Sequence, residues 1–368
     1  MKNVMLFGLL AGSVSALSLA PACASETHDY KRVEVAFVLD STGSMGDLID
    51  GAKRKIWSIA GSIVDQNPDA EIAMALVTYR DRGDDYVVKS TPLSEDVQGL
   101  YGKLIKIEAD GGGDTPESVN EALDKTINSL QWTSGTDTRR IVFLVGDAPP
   151  HMDYNEKRYP EILRDAAQRK IIVNTVQAGD ADDTQHVWKE IAQTGGGRYL
   201  TIPQDGGDVV IIETPYDSDI LELQRELDGS VVPYGSPEQR AEIHSKLEEK
   251  AQAPAPAALD SSGFYAKRSR KEVVTGGGDF VADMLSGSVD ANKVADKDLP
   301  DELKGKSGAE REVWAKSKIA ARGVLQDKIA ALVAKRDAYV SDQKKKMPKG
   351  AKDSFDAVVE DTLRTELN

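Results

Sequence analysis

The stretch VEVAFVLDSTGS, residues 33–44, joins a nearly continuous apolar run to a run of short polar residues. Such an apolar run is typical of a strand that is covered on both faces of a parallel sheet. From Met45 to Val64, apolar residues then recur at helical spacing. The polar residues therefore lie where a buried strand ends and a helix begins, at the edge where open α/β sheets bind ligands.

The same alternation continues through the first 230 residues. Strands are predicted at 72–77, 141–145, 171–176 and 198–202, and helices at 96–107, 117–130, 156–168 and 185–193. This order predicts an α/β fold with a Rossmann-like, mainly parallel sheet wrapped by helices. The segment 79–88, with Gly83 between charged residues, predicts a hairpin that adds one antiparallel edge strand.

The last third of the chain is predicted to be mainly helical. We predict a helix at 236–251, a stiff Pro/Ala linker at 253–258, a long helix at about 309–344 and a last helix at 354–367. Residues 30–230 carry a net charge of −15 and residues 231–368 of +1, which indicates two units. We therefore expect a domain at 30–230, a helix and linker at 231–258 and a helical C-terminal region at 259–368, with residues 25–230 folding alone.

The N-terminus has the pattern of a secretory signal peptide at 1–24. Lys2 precedes an apolar run at 4–10, and Ala22-Cys23-Ala24 precedes polar residues. The apolar run is too short to span a bilayer, and no later stretch is long and apolar enough for a transmembrane anchor. We predict cleavage after Ala24 and a periplasmic or secreted protein. Lipidation of Cys23 is less favoured because Ala20 stands where a Leu is expected.

Charge and cysteine content exclude several classes of function. The 368-residue chain has a formal net charge of −15, whereas nucleic-acid-binding proteins need a basic face. Cys23 is the sole cysteine, so the mature chain would contain neither disulfides nor thiol chemistry.

Three segments place oxygen-bearing side chains at the ligand-binding edge of the predicted sheet. Asp40, Thr42 and Ser44 follow the first strand, Thr115 lies in a glycine-rich loop, and Asp147 follows the strand at 141–145. Thr115 is predicted to cap the next helix, with a proline in its first turn. Two carboxylates and three hydroxyls are hard ligands suited to Mg²⁺ or Mn²⁺. Because two carboxylates only neutralise a divalent ion, it would stay electrophilic enough to accept a carboxylate from outside.

With these segments in this order, the chain resembles the von Willebrand factor type A (VWA) family over roughly residues 32–228. The site resembles the metal-ion-dependent adhesion site of that family, whose pattern Asp40, Thr42, Ser44, Thr115 and Asp147 match one by one. The resemblance implies a Rossmann-like fold that binds Mg²⁺, or else Mn²⁺ or Ca²⁺. It also implies that the three hydroxyls are direct ligands, that the aspartates often act through water, and that an acidic group of a partner completes the octahedron.

Enzymatic interpretations are weaker. The segment 42–46 is a near miss to a serine nucleophile elbow, but its first glycine is Thr42 and no His/Asp pair accompanies it. An aspartate nucleophile at Asp40 for phosphoryl transfer would require a second acidic residue at position 42, where this chain has Thr42. We therefore expect a non-enzymatic, exported module that captures a carboxylate of a partner protein through a divalent cation. The alternative is a structural component of an envelope assembly that makes its contacts through the C-terminal helices. A hydrolase is a third and weaker interpretation. The site could also be a relic that no longer binds metal.

Two further motifs have ordinary explanations. Arg82-Gly83-Asp84 spells an integrin-binding tripeptide, but a glycine flanked by charges is common at a hairpin tip. His151 follows Asp147 closely enough to reach the rim of the site. We expect it to be a polar residue of that rim and not a metal ligand.

Overall fold

A computed structural model describes residues 30–113, 115–205, 211–346 and 355–367. The predicted signal peptide and its cleavage site after Ala24 lie outside the described residues. Within these ranges, six strands form one sheet in the order β3-β2-β1-β4-β5-β6. The strands are β1 (Arg32–Asp40), β2 (Glu71–Tyr79), β3 (Val88–Ser94), β4 (Thr138–Gly146), β5 (Ile171–Ala178) and β6 (Gly196–Ile202).

The sheet confirms the predicted fold class. All neighbouring strands pair in parallel except β2 and β3, which are antiparallel and joined across the predicted hairpin. Along the central strand β1, Val35 and Phe37 belong to one apolar core and Ala36 and Val38 to the other. Helices therefore cover both faces, as the continuous apolar run of β1 requires.

Eleven helices occupy most of the remaining described residues. They are α1 (Gly46–Gln66), α2 (Val97–Leu104), α3 (Val119–Asp124, continued by a π-helical segment at Lys125–Ser129), α4 (Tyr159–Gln168), α5 (Asp182–Thr194), α6 (Asp217–Asp228), α7 (Pro237–Gln252), α8 (Ala255–Lys267), α9 (Phe280–Ser286), α10 (Gly308–Lys346) and α11 (Phe355–Leu367). Helices α1 and α2 cover one face of the sheet, and α3, α4 and α5 cover the other.

The C-terminal helices pack directly on the α/β part of the chain. Helices α8 and α11 both lie against α1, and Phe264 and Leu363 are fully buried in the same core as Phe37. Trp57 of α1 is 1% exposed and packs on Phe264 at 5.4 Å and on Tyr265 at 5.8 Å between ring centroids. One layer of the core is therefore built from both halves of the sequence.

The segment 253–258 differs from its prediction. It is extended only at Ala253 and Pro254, because α8 begins at Ala255 and includes Pro256 in its first turn. A proline is tolerated there because the first backbone N–H groups of a helix have no intrahelical partner. Ala257 is buried, so this segment is part of the packed structure rather than a linker.

The longest helix, α10, spans 39 residues and packs on α6, α8 and α9. Its Arg322 forms a buried ion pair with Asp279, at 2.6 Å between Nη1 and Oδ2. Neither α10 nor any other helix in the described part of the chain has the length and apolarity needed to cross a membrane.

Candidate metal centre

The loop that follows β1 brings three of the five predicted ligands together. Asp40 Oδ1 accepts hydrogen bonds from the Thr42 amide at 2.9 Å and from Thr42 Oγ1 at 2.7 Å. Thr42 Oγ1 in turn lies 3.3 Å from Ser44 Oγ. Asp40 and Thr42 are buried, whereas Ser44 is exposed. The three oxygens therefore form a chain that leads from the core to the surface.

Asp147 stands at the end of the neighbouring strand β4, next to Asp40. A side chain at Gly146 would place its Cβ 3.0 Å from Asp40 Cβ and 2.4 Å from the Tyr79 hydroxyl, so only glycine fits. The main-chain carbonyl of Asp147 accepts a hydrogen bond from Thr184 Oγ1 at 2.9 Å. The side-chain Oδ2 of Asp147 accepts one from Gln204 Nε2 at 2.7 Å. These contacts hold the second predicted carboxylate at the same sheet edge as the first.

Thr115 lies in a loop that is tied to the first one. The Gly43 amide donates to the Gly111 carbonyl at 3.1 Å, and the Asp110 amide donates to the Ser41 carbonyl at 3.1 Å. Thr115 itself is exposed. Among the described residues, it makes no hydrogen bond to the other four predicted ligands.

The prediction that Thr115 caps a helix is wrong. Helix α3 begins at Val119, with Ser118 before it. The Glu117 amide donates to the Pro149 carbonyl at 2.9 Å, and Glu117 pairs with Pro150 as an isolated bridge. Because these bonds extend the chain along the loop after β4, the helix starts later than the sequence suggested.

Glu117 is a residue of the site that the sequence prediction missed. It is 4% exposed, and its Oε2 is buried without a hydrogen-bond partner. A Cβ at Gly112, whose φ is +82°, would lie 3.1 Å from Thr42 Cβ and 3.4 Å from Glu117 Oε1, so the Glu117 carboxyl lies close to Thr42. The available signal was an acidic residue two positions after Thr115. The site thus has three carboxyls instead of the two that the charge argument assumed.

These acidic groups are gathered without a cation against them. Within the described residues, Asp40, Glu117 and Asp147 take part in no ion pair, and Asp40 Oδ2 is buried without a partner. Burial raises the pKa of Asp40 to about 7, Asp147 adds to the shift, and the Thr42 hydrogen bonds oppose it. Burial, with Asp40, Asp81, Asp84 and Asp147 adding to it, raises the pKa of Glu117 to about 9.

This arrangement fits a hard divalent cation. A cation beside Asp40 Oδ2 would satisfy the buried oxygen and offset the repulsion among the carboxyls. No cluster of three or more His, Cys, Asp or Glu side chains suited to a metal is present in the described ranges, so the ligand set depends on the hydroxyls. Carboxylate and hydroxyl oxygens suit Mg²⁺, Mn²⁺ or Ca²⁺.

The other singled-out residues are engaged inside the molecule. His151 is 6% exposed, so it is not part of a rim as expected; its Nε2 lies 3.4 Å from Asp81 Oδ2 and its Nδ1 2.9 Å from Asp153 Oδ1. Arg82 pairs with Glu156 at 2.6 Å. Asp84 accepts from the Gly112 amide at 3.1 Å, which fixes the glycine-rich loop.

Comparisons with known proteins show what the α/β part of the chain is similar to. The family model described as von Willebrand factor A domain matches residues 34–214. The von Willebrand factor A domain-containing protein 7 of Rattus norvegicus is 30% identical over 166 residues, which are 42% of this chain and 17% of that protein. An ariadne-like RING finger protein of Acanthamoeba polyphaga mimivirus is 24% identical over 195 residues, 48% of this chain and 19% of that protein.

The chain thus matches less than a fifth of the length of each of these relatives. Among solved structures, BatB from Bacteroides thetaiotaomicron aligns with a TM-score of 0.36 and 17% identity, over 46% of this chain and 90% of that chain. The family model and the sequence relatives together support a von Willebrand factor A domain at residues 34–214, a type of domain that in general mediates protein interactions.

Proposed function

We propose that this chain is an exported, non-enzymatic binding protein whose VWA domain captures an acidic group of a partner protein through a bound divalent cation. The observation that carries the proposal is the buried, unpartnered Asp40 Oδ2 beside two linked hydroxyls that reach the surface. In this proposal the hydroxyls of Thr42, Ser44 and Thr115 hold the ion, and the carboxyls of Asp40, Asp147 and the buried Glu117 offset its charge. The ion, when bound, supplies a positive charge to which a partner carboxylate can bind.

The exposure of the predicted ligands supports an open site. Ser44 and Thr115 are exposed and Asp147 is half-buried, whereas Asp40 and Thr42 lie beneath them. A partner side chain can therefore approach from the solvent side, while the buried groups stay fixed by main-chain hydrogen bonds. Ser44 Oγ contacts Thr42 rather than a histidine or a carboxylate, which supports a binding role over a nucleophilic one.

The structural alternative has its own supporting observation. On α10, Val313 is 69% exposed and Val324 57% exposed, which are large values for apolar side chains. A scaffold that uses these helices would keep its contacts whether or not a metal is bound.

The two proposals are distinguished by capture of partners from an envelope extract on the immobilised mature chain. We expect proteins that are retained in Mg²⁺ to be lost in chelator and on the Asp40→Asn variant, which keeps the size of the side chain. An exposed acidic residue in the first turn of α1, Asp47, provides the matched control Asp47→Asn, which should retain them. Retention of the same proteins in chelator would favour the scaffold.

A further inference from the structure

Gln204 lies at the candidate metal centre although it is not one of the five predicted ligands. It follows the end of β6 by two residues and is exposed. Its Nε2 donates to Asp147 Oδ2 at 2.7 Å and makes a longer contact of 3.5 Å with the Ser44 carbonyl oxygen. Because both neighbours are acceptors, the nitrogen of the amide has to face them. One neutral side chain therefore connects the loops that follow β1, β4 and β6.

The loop after β5 leaves room for this side chain. Gly179 has a φ of +75°, in the left-handed region that favours glycine, and a Cβ there would collide with Gln204 Oε1. The Gly179 amide donates to the Ile202 carbonyl at 3.0 Å, which ties this loop to the end of β6. The Gln204 amide thus lies between Gly179 on one side and Asp147 on the other.

The bond from Gln204 occupies one of the two carboxylate oxygens of Asp147. In the described part of the chain, no other side chain donates to this carboxylate. A cation or its bound water can use Oδ1 with this bond in place, but a cation that binds both oxygens has to displace the Gln204 amide. Mg²⁺ demands an octahedral shell and keeps several waters, whereas Ca²⁺ takes about 6–8 oxygens and often binds a carboxylate through both. The cost of displacement therefore falls on Ca²⁺.

We propose that Gln204 is a positioning residue that makes the candidate metal centre select Mg²⁺ over Ca²⁺, because it leaves Asp147 one oxygen for the ion. The inference rests on the proposed function, since it requires a cation at this edge of the sheet. A hydrogen bond to an ionised group is roughly twice as strong as one between neutral groups. Its loss is therefore large enough to decide between two ions that carry the same charge.

The test is calorimetric titration of the mature chain with MgCl₂ and, separately, with CaCl₂. Gln204→Met keeps the length of the side chain but cannot donate, and the variant should fold because the residue is exposed. We expect the variant to bind Ca²⁺ about tenfold more tightly than the unaltered chain does, the effect of one hydrogen bond to a charged group. Its affinity for Mg²⁺ should change by less than about twofold, because that ion leaves the hydrogen bond intact.

Two further variants make the result specific. Gln193→Met, on the exposed end of α5, is the matched control and should leave both affinities unchanged. The inference is wrong if Gln204→Met keeps the ratio of the two affinities, as it would if Gln204 only fixed the loop and both ions bound more weakly. Asp40→Asn separates this failure from that of the proposed function. If the unaltered chain binds neither ion, or if Asp40→Asn binds both as well as the unaltered chain does, the metal centre itself is refuted and the inference with it.

Discussion

Glu117 gives the candidate metal centre a third carboxyl and makes its charge balance testable at one residue. In metal-free protein near neutral pH, burial and the neighbouring carboxylates raise the pKa of Glu117 to about 9, so the folded state holds a proton that the unfolded state has released, and Glu117→Gln removes that cost. We expect Tm to rise by roughly 1–2 °C, the shift that about 1 kcal/mol produces in a cooperative unit of about 340 residues. In Mg²⁺ the same variant should gain less stability than the unaltered chain, because the ion loses a nearby negative charge.

Differential scanning calorimetry with and without Mg²⁺ measures both effects. Glu121→Gln removes an acid from α3 whose side chain is 45% exposed, so it is the matched control and should change neither value. If the Glu117→Gln variant is less stable than the unaltered chain in chelator and gains as much stability from Mg²⁺, Glu117 is not part of the metal centre.

The raised pKa values of the same carboxyls predict how metal-free protein responds to pH. Since the folded state holds these protons more tightly than the unfolded state, the stability that they contribute is complete below their ordinary pKa values. It is lost as pH rises through about 7 for Asp40 and about 9 for Glu117. Tm in chelator should therefore fall from about pH 4 to about pH 9, and saturating Mg²⁺ should flatten the curve. An equally flat curve in chelator would contradict this electrostatic account.

At the scale of elements, the C-terminal helices complete a layer of the α/β core. Helices α8 and α11 cover α1, and Trp57 would lose its contacts with Phe264 and Tyr265 without them. We therefore expect a chain truncated to residues 25–230 to aggregate or to melt without cooperativity, contrary to the expectation from sequence. The mature chain should melt cooperatively. Circular dichroism melts of both decide this, and a truncated chain that matched the full one in Tm would show that α8 and α11 are dispensable.

The periodicity of the sequence predicted the elements well but not their partners. The strands and helices of residues 32–202 were predictable because buried parallel strands and amphipathic helices have distinct apolar periods. The packing of α11 on α1 was not, because the apolar residues of α11, such as Val359 and Leu363, do not specify which surface they cover. The missed Glu117 has the same origin: its burial depends on the bridge to Pro150, a contact between loops far apart in sequence.

At the scale of the whole molecule, the net charge opposes the proposed recognition. Residues 30–230 carry a net charge of −15, so an acidic partner is repelled at long range, whereas coordination to the ion acts at contact. The Debye length is about 8 Å at physiological salt, so added salt screens the repulsion and leaves the contact intact. We expect partner binding in Mg²⁺ to tighten modestly as salt rises from low values, and Thr115→Ala to weaken it without lowering Tm.

Partner affinity across a salt series, with and without chelator, provides the measurement. Affinity that falls steeply with salt would indicate attraction between oppositely charged surfaces and would contradict capture through the metal. If the affinity is unchanged in chelator, the partner binds without the metal, and the C-terminal helices become the better candidate for the contact.

The most direct test of the central claim is calorimetric titration of the mature chain with MgCl₂. The account predicts one site on the unaltered chain and no binding when Asp40→Ala and Ser44→Ala are combined, with the circular dichroism spectrum of the double variant unchanged. Asp47→Ala serves as control and should bind as the unaltered chain does. Unchanged binding in the double variant, or no binding by the unaltered chain, would contradict the metal centre proposed at this edge of the sheet.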